Sequence, residues 1–133
     1  MIDPKRYAEF VNAVTSEESK DGIAFVNRLR NLEGDNCEIH RLLPAAVGIS
    51  AEGGEFMEIV KKIIFQGKPY NEDNIFHMKR ELGDIFWYLA QACMALDTDF
   101  DELMEMNIDK LKARYPGGEF DAHYSENRKE GDL

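Results

Sequence analysis

The sequence predicts an all-α fold, a bundle of four to five helices. Apolar residues recur at helical spacing along most of the chain, and no segment shows the alternation typical of a strand. Turn residues interrupt this pattern at Gly34-Asp35-Asn36, Gln66-Gly67-Lys68-Pro69 and Pro116-Gly117-Gly118. Hydrophobic residues make up 44% of the 133 residues, which is enough for the core of one domain.

Cap residues and apolar spacing divide the chain into five predicted helices. In chain order they span about residues 4–14, 23–32, 38–65, 72–96 and 100–115. The N-cap candidates are Asp3, Asn71 or Asp73, and Asp99, while Pro44 either starts or kinks the third helix. Residues 15–21 are predicted as a loop. Residues 118–133 are predicted as a polar C-terminal arm of a single domain spanning residues 1–133.

Charge and cysteine content exclude several classes of protein. Acidic residues outnumber basic ones 26 to 16, a net charge of −10, which disfavours nucleic-acid polymers and anionic membrane surfaces. A small anionic ligand that arrives with metal ions remains compatible with this charge. No apolar run reaches the roughly 18 residues of a membrane helix, and the N-terminus is no signal peptide. Cys37 and Cys93 form no CxxC pair, which favours free thiols in the cytoplasm.

Two acidic pairs are the strongest functional signal in the sequence. Glu52 and Glu55 lie on the third predicted helix, and Glu81 and Asp84 on the fourth, each pair three residues apart and therefore on one helical face. The midpoints of the pairs are equidistant from Lys68, in the turn between the helices. An antiparallel helix pair would therefore bring all four carboxylates to the same depth.

The surroundings of these acids favour a metal site. Glu52 projects within an apolar arc, and the fourth helix is apolar nearly all round beyond Asp84, so the carboxylates need cations, donors or a metal. Oxygen ligands without cysteine or clustered histidine indicate Mg²⁺, with Mn²⁺ as a substitute, rather than zinc. The absence of any Glu-x-x-His disfavours a ferritin-like site. The alternative is that the acids belong to ordinary solvated helix faces.

Further candidates surround the acidic pairs, each with a structural alternative. Tyr88 follows Asp84 by one turn and could stack on a base or bond a ribose, or be a core tyrosine. Lys62 could reach a phosphate or serve as a counter-ion, and Glu58 is a candidate extra ligand or general base. His77 shares the stripe of Glu81 but is interpreted as a solvent-facing or packing residue.

The last helix carries a polar, basic stripe at the edge of its apolar face. Asn107, Lys110 and Arg114 fall within a narrow arc, which suits phosphate recognition. The alternative is a salt-bridged edge near a helix C-terminus, where cations are favoured.

Several runs, in order and at suitable spacing, resemble the MazG-type members of the all-α nucleoside triphosphate pyrophosphohydrolases. They are Gly48-Ile49-Ser50-Ala51-Glu52-Gly53-Gly54-Glu55, Val60-Lys61-Lys62, Glu81-Leu82-Gly83-Asp84-Ile85-Phe86-Trp87-Tyr88-Leu89, Asn107-Ile108-Asp109-Lys110-Leu111, and Arg114-Tyr115-Pro116 with Ser125-Glu126-Asn127-Arg128. The sequence departs from the family pattern at Gly53, where alanine is more usual. The arm is also one residue longer around Gly117-Gly118.

The resemblance implies a ligand set, an activity and an assembly. Glu52, Glu55, Glu81 and Asp84 become the catalytic Mg²⁺ ligands, and Asn127 and Arg128 join the substrate-binding residues Lys62, Tyr88, Asn107, Lys110 and Arg114. The implied reaction is hydrolysis of a nucleoside triphosphate between its α and β phosphates, leaving a monophosphate and pyrophosphate. The implied bundle is completed by homodimerisation, often extended to a tetramer.

The substrate and the class of protein keep alternatives at this stage. By resemblance we expect deoxynucleotides, such as dGTP or dCTP. A related helical hydrolase acting on dUTP or on a phosphorylated metabolite is the second enzyme hypothesis. The third is a non-enzymatic helical dimerisation module whose acids only keep it in solution.

Overall fold

The computed structural model describes all residues from Met1 to Leu133, and it is all-α, as predicted. It contains seven helices and no strand. The helices are α1 (Pro4–Ala13), α2 (Glu17–Lys20), α3 (Gly22–Gly34), α4 (Ile39–Phe65), α5 (Glu72–Leu96), α6 (Phe100–Arg114) and α7 (Ala122–Glu126). None of them is long and apolar enough to cross a membrane.

The five predicted helices are confirmed as α1, α3, α4, α5 and α6. Three predicted N-caps act as such, since the side chains of Asp3, Asn71 and Asp99 accept hydrogen bonds from backbone N–H groups in the first turn. Pro44 lies inside α4, which begins at Ile39, so the helix does not start at the proline.

Two short helices were missed. The prediction of a loop over residues 15–21 is wrong, because α2 forms there, with Glu17 and Glu18 favourably placed in its first turn. The polar arm contains α7, which is capped by the side chain of Asp121. Helices of four and five residues are too short to show apolar periodicity.

The core lies between α4 and α5, which pack against each other along their length. The buried residues are Ala45, Gly48 and Ile59 of α4 and Cys93 of α5. Helices α1, α2, α3, α6 and α7 bury no residue completely. The α4–α5 hairpin is therefore the part of the chain in which helix packing fixes the positions of the side chains.

Much apolar surface of α5 and α6 is uncovered in the single chain. Trp87 is 59% exposed, and Phe86, Met94, Met104 and Ile108 are also exposed. These α5 residues belong to the helix whose sequence is apolar on nearly every side. Where exposed apolar side chains form a large patch, they are typical of an interaction site.

Candidate active site

The register of the α4–α5 hairpin agrees with the sequence prediction. The side chain of Tyr88 lies against Gly48, and these two residues are equidistant along the chain from Lys68. Nearer the open end, Arg41 Nη1 donates a hydrogen bond of 2.7 Å to Gln91 Oε1. Gly67 adopts a φ of 70° in the connecting turn, a left-handed conformation that glycine reaches without strain. The predicted antiparallel helix pair is thus confirmed.

The hairpin brings three of the four predicted carboxylates together. One oxygen from each of Glu52, Glu81 and Asp84 lies within 4.8 Å of the others. These three residues are here called the acidic cluster. Glu55 is exposed and stands outside this group, although its charge acts on Glu52. The juxtaposition depends on contact between two helices and not on spacing within one.

One residue of the acidic cluster, Glu52, has a raised pKa. The pKa of Glu52 rises from 4.5 to about 6, chiefly because its carboxyl hydrogen-bonds the carboxyl of Glu81. Partial burial raises it further, as does repulsion from Asp84, Glu81 and Glu55. The raised pKa of Glu52 indicates that its surroundings supply little positive charge.

Glu81 has one further partner on its own helix. His77 Nε2 lies 3.2 Å from Glu81 Oε1, one helical turn away. The Glu81 side chain is 13% exposed, while that of His77 is half exposed. The contact orients Glu81, and it brings a positive charge only when the imidazole is protonated.

A close approach of backbone and ring sets the spacing of the helices next to the acidic cluster. A Cβ atom at Gly48 would fall 2.2 to 2.4 Å from carbons of the Tyr88 ring, so only glycine fits there without a shift. Tyr88 therefore packs between the helices, one turn from Asp84. Its predicted contact with a base or ribose stays a prediction.

Lys62 and Glu58 form a separate charge group. Lys62 Nζ lies 3.4 Å from one oxygen of Glu58, and Lys61 Nζ lies 3.1 Å from the other. These lysines, Lys61 first, hold the pKa of Glu58 below its usual value. Glu58 is thus neutralised locally and is not part of the acidic cluster, while Lys62 remains partly exposed.

The basic stripe of α6 divides into two environments. Asn107 lines an apolar groove of about 550 Å³ with Phe86, Leu89, Phe100, Leu103, Met104 and Ile108. Lys110 and Arg114 line a different cleft, together with the C-terminal residues. Arg114 is held there by Asp132, with Nε–Oδ2 and Nη2–Oδ1 distances of 2.9 and 2.8 Å.

The predicted arm residues are bonded within the arm. Asn127 Nδ2 donates to the carbonyl of His123 at 2.8 Å, and Arg128 Nε donates to the carbonyl of Ser125 at 3.2 Å. These bonds hold both side chains near the end of α7. Arg128 still adds positive charge near Asp132, whose pKa it helps to lower.

Three contacts were missed by sequence reasoning. The i, i+4 spacing of His77 and Glu81 could have predicted their contact. Gly48 lies one turn before Glu52, on the face that meets α5, and a glycine there signals a close approach. Asp132 carries no local signal, because its contact with Arg114 depends on how the arm folds back.

The acidic cluster has the donor chemistry of a site for a hard divalent cation. Its oxygens converge from two helices, and no lysine or arginine forms an ion pair with any of its three residues. Carboxylate oxygens are the ligands that Mg²⁺ and Mn²⁺ prefer. A bound cation would relieve the repulsion that raises the pKa of Glu52, so these residues fit such an ion.

Comparison with known proteins identifies the family. The model of the MazG nucleotide pyrophosphohydrolase domain matches residues 43–118, which include the acidic cluster and all of α5 and α6. Gene 37 protein of Mycobacterium phage L5 is 33% identical over 86 residues, which are 64% of this chain and 75% of that protein. No solved structure matches the chain significantly. Since the family model covers more than half of its length, the chain belongs to the MazG nucleotide pyrophosphohydrolase family.

Proposed function

We propose that this protein is a Mg²⁺-dependent nucleoside triphosphate pyrophosphohydrolase that converts (d)NTP to (d)NMP and pyrophosphate, with Mn²⁺ as a substitute ion. Its family assigns it nucleotide pyrophosphohydrolase activity in general, a hydrolysis of acid anhydrides. The choice of metal and bond is our proposal. It rests on one observation, the convergence of Glu52, Glu81 and Asp84 across the α4–α5 hairpin.

In this proposal Glu52, Glu81 and Asp84 hold the divalent ion, and Glu55 completes the set of ligands. A divalent cation supplies positive charge to the phosphate oxygens and lowers the pKa of a coordinated water. Glu52 would serve as a ligand in its ionised form, because a metal ligand must be deprotonated. His77 holds the Glu81 carboxylate in place through the 3.2 Å contact.

The cationic residues bind the phosphates and leave the hydrolysis to the acidic cluster. Lys62, Lys110, Arg114 and Arg128 carry donors suited to phosphate oxygens, and Asn127 adds an amide donor. Asn107 lies at the apolar groove and Tyr88 beside Gly48, where an aromatic ring and an amide can contact the nucleoside. The positive charge of these residues offsets the charge that develops on the leaving pyrophosphate.

For the substrate we propose deoxynucleoside triphosphates, with dGTP or dCTP preferred. This preference is supported only by the resemblance in the motifs. The metal chemistry gives no support, because the same chemistry would serve any base. The walls of the pocket set base preference, so a direct comparison of bases is part of the test.

The domain and its assembly belong to the same proposal. We propose that residues 1–133 form one domain with a polar arm over 118–133, which works as a homodimer or homotetramer in the cytoplasm. The exposed apolar residues Trp87, Phe86 and Met94 support a second copy covering α5. Sedimentation equilibrium should give twice or four times the mass of 15.3 kDa. A monomer at micromolar concentration would contradict the assembly.

The reaction is tested by product identity. The eight common NTPs and dNTPs are incubated with protein in Mg²⁺, in Mn²⁺ and in EDTA, and pyrophosphate and orthophosphate are measured separately. We expect pyrophosphate in the metal arms only, with dGTP or dCTP fastest. Orthophosphate instead would mean that another bond is cut, and it would contradict the proposal. If a folded protein releases neither product in Mg²⁺, in Mn²⁺ or in EDTA, the dimerisation module would be favoured.

A further inference from the structure

The C-terminal residues fold back onto a group of cations at the end of α6. Lys110, Arg114 and Lys129 line a cleft of about 400 Å³, and Arg128 lies close enough to act on Asp132. We call Lys110, Arg114, Arg128 and Lys129 the basic cluster. Four of the 16 lysines and arginines of an otherwise acidic chain thus meet in one place.

The carboxylate of Asp132 makes the shortest contacts with this cluster, which Glu130 and Leu133 also line. Asp132 meets the guanidinium of Arg114 through two parallel hydrogen bonds of 2.9 and 2.8 Å. Their side chains are only 14% and 10% exposed, respectively, so the pair is well shielded from water. Attraction by Arg114, and to a smaller extent by Lys110 and Arg128, holds the pKa of Asp132 below its usual value.

A turn in the C-terminal arm places the carboxylate of Asp132 beside Arg114. The backbone N–H of Asp132 donates to the carbonyl of Lys129 at 3.0 Å, and Gly131 adopts a φ of 86° within that turn. This left-handed conformation suits glycine and is strained for other residues. The sequence of the turn therefore favours the position in which Asp132 reaches Arg114.

The acidic groups of the arm do not balance the charge of the cluster. Asp132 pairs with Arg114, and Glu130 also lines the cleft, but Lys110, Arg128 and Lys129 form no ion pair within 4.0 Å. The donor fork of an arginine accepts a phosphate in the same bidentate geometry as a carboxylate. A phosphate group with two or more negative charges would match the cluster better than Asp132 does.

We propose that the basic cluster is a binding site for phosphate-class anions and that Asp132 is its intramolecular competitor, which a ligand must displace. The identification of that ligand with the substrate's phosphates rests on the proposed function. The arm then sets the apparent affinity, because a site that is open for a fraction of the time binds with its affinity reduced by that fraction.

Calorimetric titration with inorganic pyrophosphate in EDTA tests the site without turnover. We expect Asp132→Asn to bind pyrophosphate about five- to tenfold more tightly than the wild type, because the competing ion pair is removed. Gly131→Ala should change the affinity in the same direction, because it disfavours the turn while keeping every charge. Glu126→Gln removes an equal charge from the exposed end of α7, outside the residues that line the cleft, and it should leave the affinity unchanged.

Opposite results separate a competitor from a structural latch. If Asp132 only fastens the arm, Asp132→Asn lowers the melting temperature and leaves pyrophosphate affinity unchanged or weaker, which overturns the proposal. Titration with dGTP in EDTA should show the same fold-change as pyrophosphate. A change confined to pyrophosphate would overturn the identification with the substrate.

The two proposals fail separately. Tighter pyrophosphate binding by Asp132→Asn in a protein without turnover would retain the anion site and reject the proposed reaction. In an active enzyme, Asp132→Asn should lower KM about five- to tenfold at unchanged kcat. Turnover with neither KM nor pyrophosphate affinity altered would retain the reaction and reject the competitor.

Discussion

The acidic and basic clusters show two ways in which one chain handles concentrated charge. In the acidic cluster, Glu52, Glu81 and Asp84 converge with no lysine or arginine paired to them, and Glu52 retains its proton up to about pH 6. In the basic cluster, Arg114 is already paired with Asp132 of the same chain. The first cluster has no lysine or arginine as a counter-charge and contacts only His77, whereas the second contains a permanent ion pair.

The origins of the two clusters differ as well. The acidic cluster depends on two long helices that pack along their length, with Gly48 and Tyr88 setting their separation. The basic cluster depends on one helix end and a turn of the arm. We infer that the acidic cluster is preformed for an external cation. The basic cluster, by contrast, can be exposed to a ligand by a movement of a few residues of the arm.

Replacing one acidic ligand should have the largest effect. Glu81→Gln keeps the shape of the side chain but removes the charge at the centre of the acidic cluster, so kcat/KM should fall by about a hundredfold or more. The melting temperature in EDTA should not fall, because repulsion is relieved. Glu105→Gln, an exposed acid on α6, is the matched control. Retained turnover in Glu81→Gln would contradict the assignment of Glu81 as a ligand.

A substitution that widens the hairpin should affect the acidic cluster and leave the basic cluster unchanged. A methyl group at position 48 meets the Tyr88 ring, so Gly48→Ala should cost about 1–3 kcal/mol in the free energy of unfolding. Stabilisation by Mn²⁺ should weaken with it, while pyrophosphate binding in EDTA should not change. Denaturation curves and calorimetry measure the three quantities. Unchanged Mn²⁺ stabilisation would show that the spacing at Gly48 does not control the acidic cluster.

The pH dependence of stability should have opposite signs in the two clusters. The raised pKa of Glu52 stabilises the metal-free fold below about pH 4.5, and this contribution is lost as the pH rises through about 6. The lowered pKa of Asp132 stabilises the fold above its usual value of 3.8, and this contribution is lost as the pH falls through its value in the fold.

Urea denaturation in EDTA across pH 3 to 7 measures both contributions, as an order-of-magnitude comparison of slopes. Glu52→Gln should remove the decline between about pH 4.5 and 6, and Asp132→Asn should lessen the decline at the acid end, to which the lowered pKa of Glu58 also contributes. A Glu52→Gln profile identical to that of the wild type would mean that Glu52 does not hold a proton in the fold.

Substitution at Gly53 should have the smallest effect and the opposite direction to Gly48→Ala. A Cβ at Gly53 meets nothing within 4 Å, so alanine should stabilise α4 by up to about 1 kcal/mol. Thermal unfolding together with sedimentation measures it. A destabilised or dissociated Gly53→Ala variant would place the backbone of a second copy against this glycine.

Local and symmetric features could be predicted from the sequence. The five longer helices follow from periodicity and caps, and the register of the hairpin follows from the equal distances of the acidic pairs from Lys68. Glu52, Glu81 and Asp84 could therefore be placed together before the fold was known. Glu55 has the same spacing, but its exposed carboxylate stands outside the group, because a shared face does not fix the direction of a side chain.

Features made by folding back of the arm could not be predicted. Arg114 has the sequence context of a phosphate-binding residue, yet its partner in the fold is Asp132, eighteen positions later. Short polar helices such as α2 and α7 lack apolar periodicity. The large exposed surface of α5 was predicted as apolar, but a sequence pattern does not say which part of it a single chain leaves uncovered.

The central claim is that the hairpin assembles a divalent cation site, and Mn²⁺-linked stability tests it most directly. The free energy of unfolding is measured in EDTA and at rising Mn²⁺ for the wild type and for Glu81→Gln. We predict that the wild type gains about 2.7 kcal/mol when Mn²⁺ reaches a hundred times its Kd, and that Glu81→Gln gains far less at the same concentration. Equal stabilisation of both proteins, or of neither, would contradict the account.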